Sequence, residues 1–156
     1  MKLLEYIFTK QQIGDKFFWL RLGLAGIMIV LLVGQLFTYE SFYSVLVTAQ
    51  GNLSPIVVTI LMVLLPIYEL MTLPALLSMT VSSTILRASA YAARIVSLLL
   101  VAMVVNSLAV APETSAGLLG DTIYVPAHLV TLLLVALYAV AIWYATARQV
   151  ELPKKK

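Results

Sequence analysis

The chain has 156 residues, 62% of them hydrophobic and only 11% charged, with a mean hydropathy of +1.03. A soluble domain is typically about 45–50% apolar and about 25% charged, so this chain cannot cover itself with polar surface and the bilayer must be its solvent. Its net charge of +3, zero cysteines and single histidine (His128) exclude a nucleic-acid surface of basic and stacking residues, a thiol relay, an iron–sulfur cluster and a His-rich metal site built from one copy.

At the start of the chain, apolar Leu3, Leu4, Ile7 and Phe8 recur at helical spacing among Lys2, Glu5 and Lys10. This pattern predicts a short amphipathic helix on the membrane surface. The first apolar run, about 17–37, crosses a hydrocarbon core of about 30 Å at about 1.5 Å per residue. It is too long for the core of a signal peptide and no small-x-small cleavage site follows it, so it is read as retained. Phe17, Phe18 and Trp19 at one end and Tyr39, Phe42 and Tyr43 beyond the other match the aromatic belts of a membrane helix.

Residues 40–49 are too short and polar to span and suggest an interfacial helix before a Gly51-Asn52 turn. Pro55 then introduces a second span, about 56–79, since proline at a helix start costs no intrahelical bond. A Ser/Thr-rich connection through Thr80, Ser82, Ser83 and Thr84 leads to a third span at about 88–110. The segment PETSAGLLGDT has turn chemistry, and Pro126 introduces a fourth span, about 126–147, with Trp143 and Tyr144 as its belt.

The ten basic residues fall in alternate segments: Lys2, Lys10, Lys16 and Arg21, then Arg87 and Arg94, then Arg148, Lys154, Lys155 and Lys156. The intervening segments, 38–55 and 111–125, carry Glu40, Glu113 and Asp121 and no Lys or Arg. By the positive-inside bias this predicts both termini in the cytoplasm of an inner-membrane protein. Short connections make sequential spans antiparallel neighbours. The expected fold is therefore one all-α domain over 1–156, an antiparallel four-transmembrane-helix bundle. Gly23, Gly26 and Gly34, the four-spaced Ser89, Ala93 and Ser97, and Ala141 with Ala145 would allow close helix approach.

Glu69 is the one acidic residue deep inside a span, between Pro66 and Pro74. An ionised carboxylate at a helix centre costs roughly 2.5–3.5 kcal/mol. Neutralising it at pH 7 from an ordinary carboxyl costs roughly 3.7 kcal/mol. Neither state is comfortable alone, so Glu69 is expected to face the bundle and find a partner. Arg21 and Arg94 are the candidates, giving an Arg21–Glu69–Arg94 polar core. Glu69 is also the candidate site for a proton or a cation. Pro66 and Pro74 free the carbonyls of Met62 and Leu70 and offer a hinge or a pocket. Gln35, Asn106 and His128, near the other ends of spans one, three and four, are a second candidate group, either lining a quinone pocket or hydrogen-bonding between helices. No nucleophile elbow, phosphate-binding loop or zinc motif occurs.

The stretches RLGLAGIMIVLLVGQLF at 21–37 and PIYELMTLPALLSMTVSSTILRASAYAARIVSLLL at 66–100 resemble the DoxX-like membrane proteins, a group that includes the MauE-type maturation proteins. The resemblance covers roughly residues 17–148 and rests on an arginine opening span one, glycines within it and a glutamate in span two. It implies a four-span accessory subunit near redox or sulfur metabolism, in some members beside quinone-linked oxidoreductases, with Arg21 and Glu69 as the matching polar pair.

Three roles follow as expectations. The first is a non-catalytic accessory subunit or assembly factor of a membrane complex, with no cofactor of its own. The second is a small proton- or cation-coupled carrier or channel working through Glu69 in a homo-oligomer. The third is a redox subunit holding quinone. In each the partners are lipid and other membrane subunits or copies of this chain.

Overall fold

The computed structural model describes residues 17–110, 115–119 and 123–150. The amphipathic helix expected at 1–16 and the basic tail lie outside the described residues. Among the described residues five helices follow in order: α1 Phe18–Phe37, α2 Tyr39–Ala49, α3 Pro55–Leu76, α4 Ser83–Val110 and α5 Leu129–Val150. There is no strand among the described residues, only an isolated antiparallel bridge between Ser115 and Pro126. Four helices, α1, α3, α4 and α5, are long and apolar enough to cross a membrane.

Local chemistry sets the helix ends. Ser54 caps α3, its hydroxyl accepting from Val57 N at 3.5 Å, with Pro55 at the first helical position. The helix then runs through both Pro66 and Pro74 to Leu76. It stops there in a Schellman turn: Ser78 takes a left-handed φ of 54°, Met79 N donates to Pro74 O (3.0 Å) and Ser78 N to Ala75 O (3.3 Å). The second span is thus shorter than the hydropathy suggested. The third is longer, because Ser82 starts it early by accepting from Ile85 N at 3.4 Å. Pro126 does not open the fourth. It is held in the bridge with Ser115, beside an Ala116 N to Val125 O bond of 2.7 Å, and the helix begins at Leu129.

Side-chain hydrogen bonds fix how the helices meet. At the Leu76 end of α3, Ala75 is held from two sides. Its N–H donates to Ser89 Oγ of α4 (2.9 Å), and its carbonyl accepts from Gln149 Nε2 of α5 (3.0 Å). At the Pro55 end, Gln50 Nε2 donates to Met103 O (3.0 Å) and Ser107 Oγ (2.9 Å) of α4. Asn52 and Asn106 exchange a reciprocal pair of 2.8 Å bonds, and Asn106 also donates to Gln50 Oε1 at 2.6 Å.

α1 departs from the uniform up-and-down register that short connections suggest. Its first turns meet α5, with Phe17 edge-on to Tyr144 at 5.1 Å and Leu24 O accepting from Tyr138 Oη at 3.2 Å. Its last turn meets Glu69 of α3 through Gln35, about 21 Å along α3 from Pro55. In a uniform pair that last turn would face Pro55–Val58. α2 packs on both α3 and α4. Residues 40–49 form the expected short helix, which packs one face inward with Phe42, Leu46 and Ala49 fully buried.

The core runs from Leu24 and Met28 of α1 through Leu65 and Leu76 of α3 to Val96 and Leu100 of α4 and Ile142 of α5. Ser89, Ala93 and Ser97, together with Ala145, are buried between helices as their spacing suggested. Outside this core the surface is apolar: Phe37 is 85% exposed, and Ile56 and Leu129 each 72%. A surface so apolar over four helices is one that lipid covers.

Gly34 of α1 lies close against the 115–119 segment. A Cβ there would stand 3.1 Å from the Leu119 carbonyl oxygen and 3.2 Å from its Cδ2. Gly34→Val should therefore destabilise the folded protein in detergent by about 1–3 kcal/mol. Gly23→Ala and Gly26→Ala, with open space at both positions, should be neutral or better. Thermal or denaturant unfolding followed by circular dichroism distinguishes the three.

Candidate functional site

The side chain of Glu69 is completely buried, and its partner is an amide. Gln35 Nε2 of α1 donates to Glu69 Oε1 at 3.0 Å, and the same amide group donates to Leu118 O in the connecting segment, also at 3.0 Å. Thr72, one turn on, donates to the Glu69 carbonyl at 2.7 Å. α1, α3 and the segment between α4 and α5 thus meet at one polar point inside an apolar core. Two atoms of this cluster have no hydrogen-bond partner: Glu69 Oε2 and Gln35 Oε1, both buried.

The arginine core anticipated from the sequence does not assemble around this carboxyl. Arg94 turns to α5, where Nε donates to Thr146 Oγ1 at 3.1 Å and the guanidinium lies 5.0 Å from the centre of the Trp143 ring. Arg21 Nε faces the Phe17 carbonyl at 3.4 Å, one turn back on its own helix. The physical reason is the register of α1. Its last turn, not its first, is what reaches Glu69, so Gln35 arrives where Arg21 was expected.

The second candidate group does not converge either. Gln35 belongs to the Glu69 cluster, Asn106 is bonded to Gln50 and Asn52, and His128 is exposed just before α5. An apolar groove of about 480 Å³ does run beside Asn106, between Leu61 of α3 and Leu99 and Ala102 of α4. Its two amides, Gln50 and Asn106, are already engaged with each other, and neither Gln35 nor His128 borders it. Among the described residues no group of three His, Cys, Asp or Glu stands close enough to hold a metal ion.

Sequence reasoning missed Gln35 as the partner of Glu69, took Asn52 only as part of a turn, and did not single out Gln50. Gln35 stood out as a polar residue in an apolar run, but its pairing depends on the packing of α1 and α2 against α3, which no periodicity announces. No protein-family model matches the chain, and no curated protein or solved structure matches it. Fold and site together define a small α-helical membrane protein with a buried carboxyl–amide pair.

The pair makes two variants diverge. Gln35→Leu removes the one donor to the Glu69 carboxyl among the described residues and should lower stability by about 1–3 kcal/mol. Glu69→Gln keeps an acceptor for Gln35 and adds a donor, so it should stay within about 1 kcal/mol of the wild type. Equal losses in the two variants, measured by unfolding in the same detergent, would contradict this account of the contact.

Proposed function

We propose that this chain is a small membrane component that works by binding a proton at Glu69. What carries the reading is the pair of buried, unpartnered oxygens on adjoining side chains, Glu69 Oε2 and Gln35 Oε1. Two acceptors without a donor are unfavourable in an apolar interior. One proton on Oε2 makes that oxygen a donor. The acid and the amide, already joined by one bond, then form a reciprocal two-bond pair. A lone carboxylate would be held by one neutral amide at this site, with no cation bonded to it among the described residues.

Proton occupancy at such a point has a mechanical lever, because Gln35 simultaneously ties α1 to the 115–119 segment through Leu118 O. The reading fits a proton-coupled element acting as an oligomer or beside other membrane subunits. It also accommodates the accessory role implied by the resemblance to DoxX-like proteins. We further propose that the protein resides in an inner membrane with both termini cytoplasmic, on the strength of the alternating placement of its basic residues.

Infrared difference spectroscopy of the purified protein tests the proton. The wild type should show a protonated-carboxyl band that shifts in deuterium oxide and is missing in Glu69→Gln. Proton uptake by reconstituted vesicles should fall in the same variant. A carboxylate band alone, with sodium instead of protons altering it, would transfer the site to a metal cation and overturn the reading.

Orientation has its own check, since the chain has no cysteine. An impermeant maleimide added to intact spheroplasts should label Gly51→Cys and leave Ser82→Cys unlabelled until the membrane is opened. The reverse labelling would invert the topology.

A further inference from the structure

Arg94 lies within a membrane-spanning helix, about 16 Å along α4 from Ser83, and is partly buried. A guanidinium carries five N–H donors in a planar fork. Among the described residues only Nε has a partner, Thr146, while the Trp143 ring covers the guanidinium. The other four donors have no partner among the described residues, and Glu69 supplies none, its bond being to Gln35.

Arg87 precedes Arg94 by seven residues, which places it within about 20° of the same side of α4. Tyr91, 47% exposed, stands between them on that side. Side chains on a helix lean toward its N-terminus, so Arg94 extends toward Arg87 and the Ser83 end. α4, at 28 residues, is about 42 Å long against a hydrocarbon core of about 30 Å. Its excess length therefore allows the Ser83 end to project into the headgroup layer, within reach of a snorkelling arginine.

The charge balance points the same way. α4 and α5 together carry Arg87, Arg94 and Arg148 and no aspartate or glutamate. Their positive charge is left for a group outside the two helices to neutralise. A phosphate oxygen pair fits a guanidinium fork bidentately, and two arginines against one phosphate favour a lipid with net negative charge. Trp143, 44% exposed, would cover the glycerol side of such a lipid as belt tryptophans do.

We propose that Arg87, Tyr91 and Arg94 of α4, with Trp143 of α5, form a binding site for the phosphate of an anionic membrane phospholipid. The site is independent of Glu69 and would hold whether or not that residue binds a proton.

Trp143 reports on the site directly in a Trp19→Phe background, which leaves one tryptophan. The protein is reconstituted in phosphatidylcholine vesicles containing brominated phosphatidylglycerol or, separately, brominated phosphatidylcholine. Quenching at equal lipid fraction should favour phosphatidylglycerol by roughly fivefold. The preference should vanish in Arg87→Gln/Arg94→Gln and survive in part in Arg94→Lys. Inorganic phosphate at millimolar level that relieves the quenching would show that free phosphate competes for the same donors. Quenching unaffected by phosphate would assign the site to lipid alone. Equal quenching by the two lipids, or a double variant that keeps the preference, overturns the proposal. The comparison of lipids needs no arginine variant, so a double variant that fails to fold does not remove the test.

Discussion

Burying one carboxyl in an apolar core is the constraint around which this fold is arranged. Glu69 sits where neither water nor lipid headgroups reach, so its oxygens must be met from within. The donor comes from Gln35 at the end of α1, which bonds Leu118 in the connecting segment as well. That requirement fixes how far α1 travels along α3. It also explains why the chain needs α2: with α1 ending at Glu69, another element must cover the rest of α3. The glycine at 34 allows the 115–119 segment to approach closely enough for Leu118 to accept its bond.

Away from the carboxyl, the hydrogen bonds that join the helices among the described residues are mostly between neutral groups, the Arg94–Thr146 bond being the charged one. Ala75 offers its backbone to Ser89 and Gln149 beside Pro74, at a point where proline has already interrupted the helix ladder. Gln50, Asn52 and Asn106 form a closed amide cluster at the opposite end. Bonds of this kind exact a small desolvation cost compared with buried charges, and they specify which residues face each other. Arg94 stands apart from the carboxyl, with Thr146 and Trp143 of α5 as its neighbours.

The number of long apolar helices, their approximate ends and the inward face of α4 were legible in the sequence, because hydropathy and four-residue spacing of small residues are direct consequences of helix geometry. Single-residue chemistry shifted the boundaries. Ser82 began α4 early, Ser78 ended α3 by entering the left-handed region, and the Ser115–Pro126 bridge delayed α5. The importance of Glu69 was legible too, from the cost of its burial. Its partner was not. Arg21 and Arg94 were the chemically obvious choices, and only the packing of α2 along α3 brings Gln35 into range. A polar residue near a helix end is ambiguous until the register of that end is known.

The spacing of the polar contacts along the chain also bears on how the protein is made. Gln35 and Glu69 are 34 residues apart, whereas Gln50 and Ser107 are separated by 57 and Gln35 and Leu118 by 83. Since synthesis proceeds from the N-terminus, Gln35 is already in place when Glu69 enters the bilayer. The residue most costly to insert alone therefore meets its partner first. The amide cluster and the Leu118 bond, both among neutral groups, wait for α4 and the segment beyond it. The sequence order thus spares the half-made chain its worst exposure, a duty that the finished structure no longer reveals.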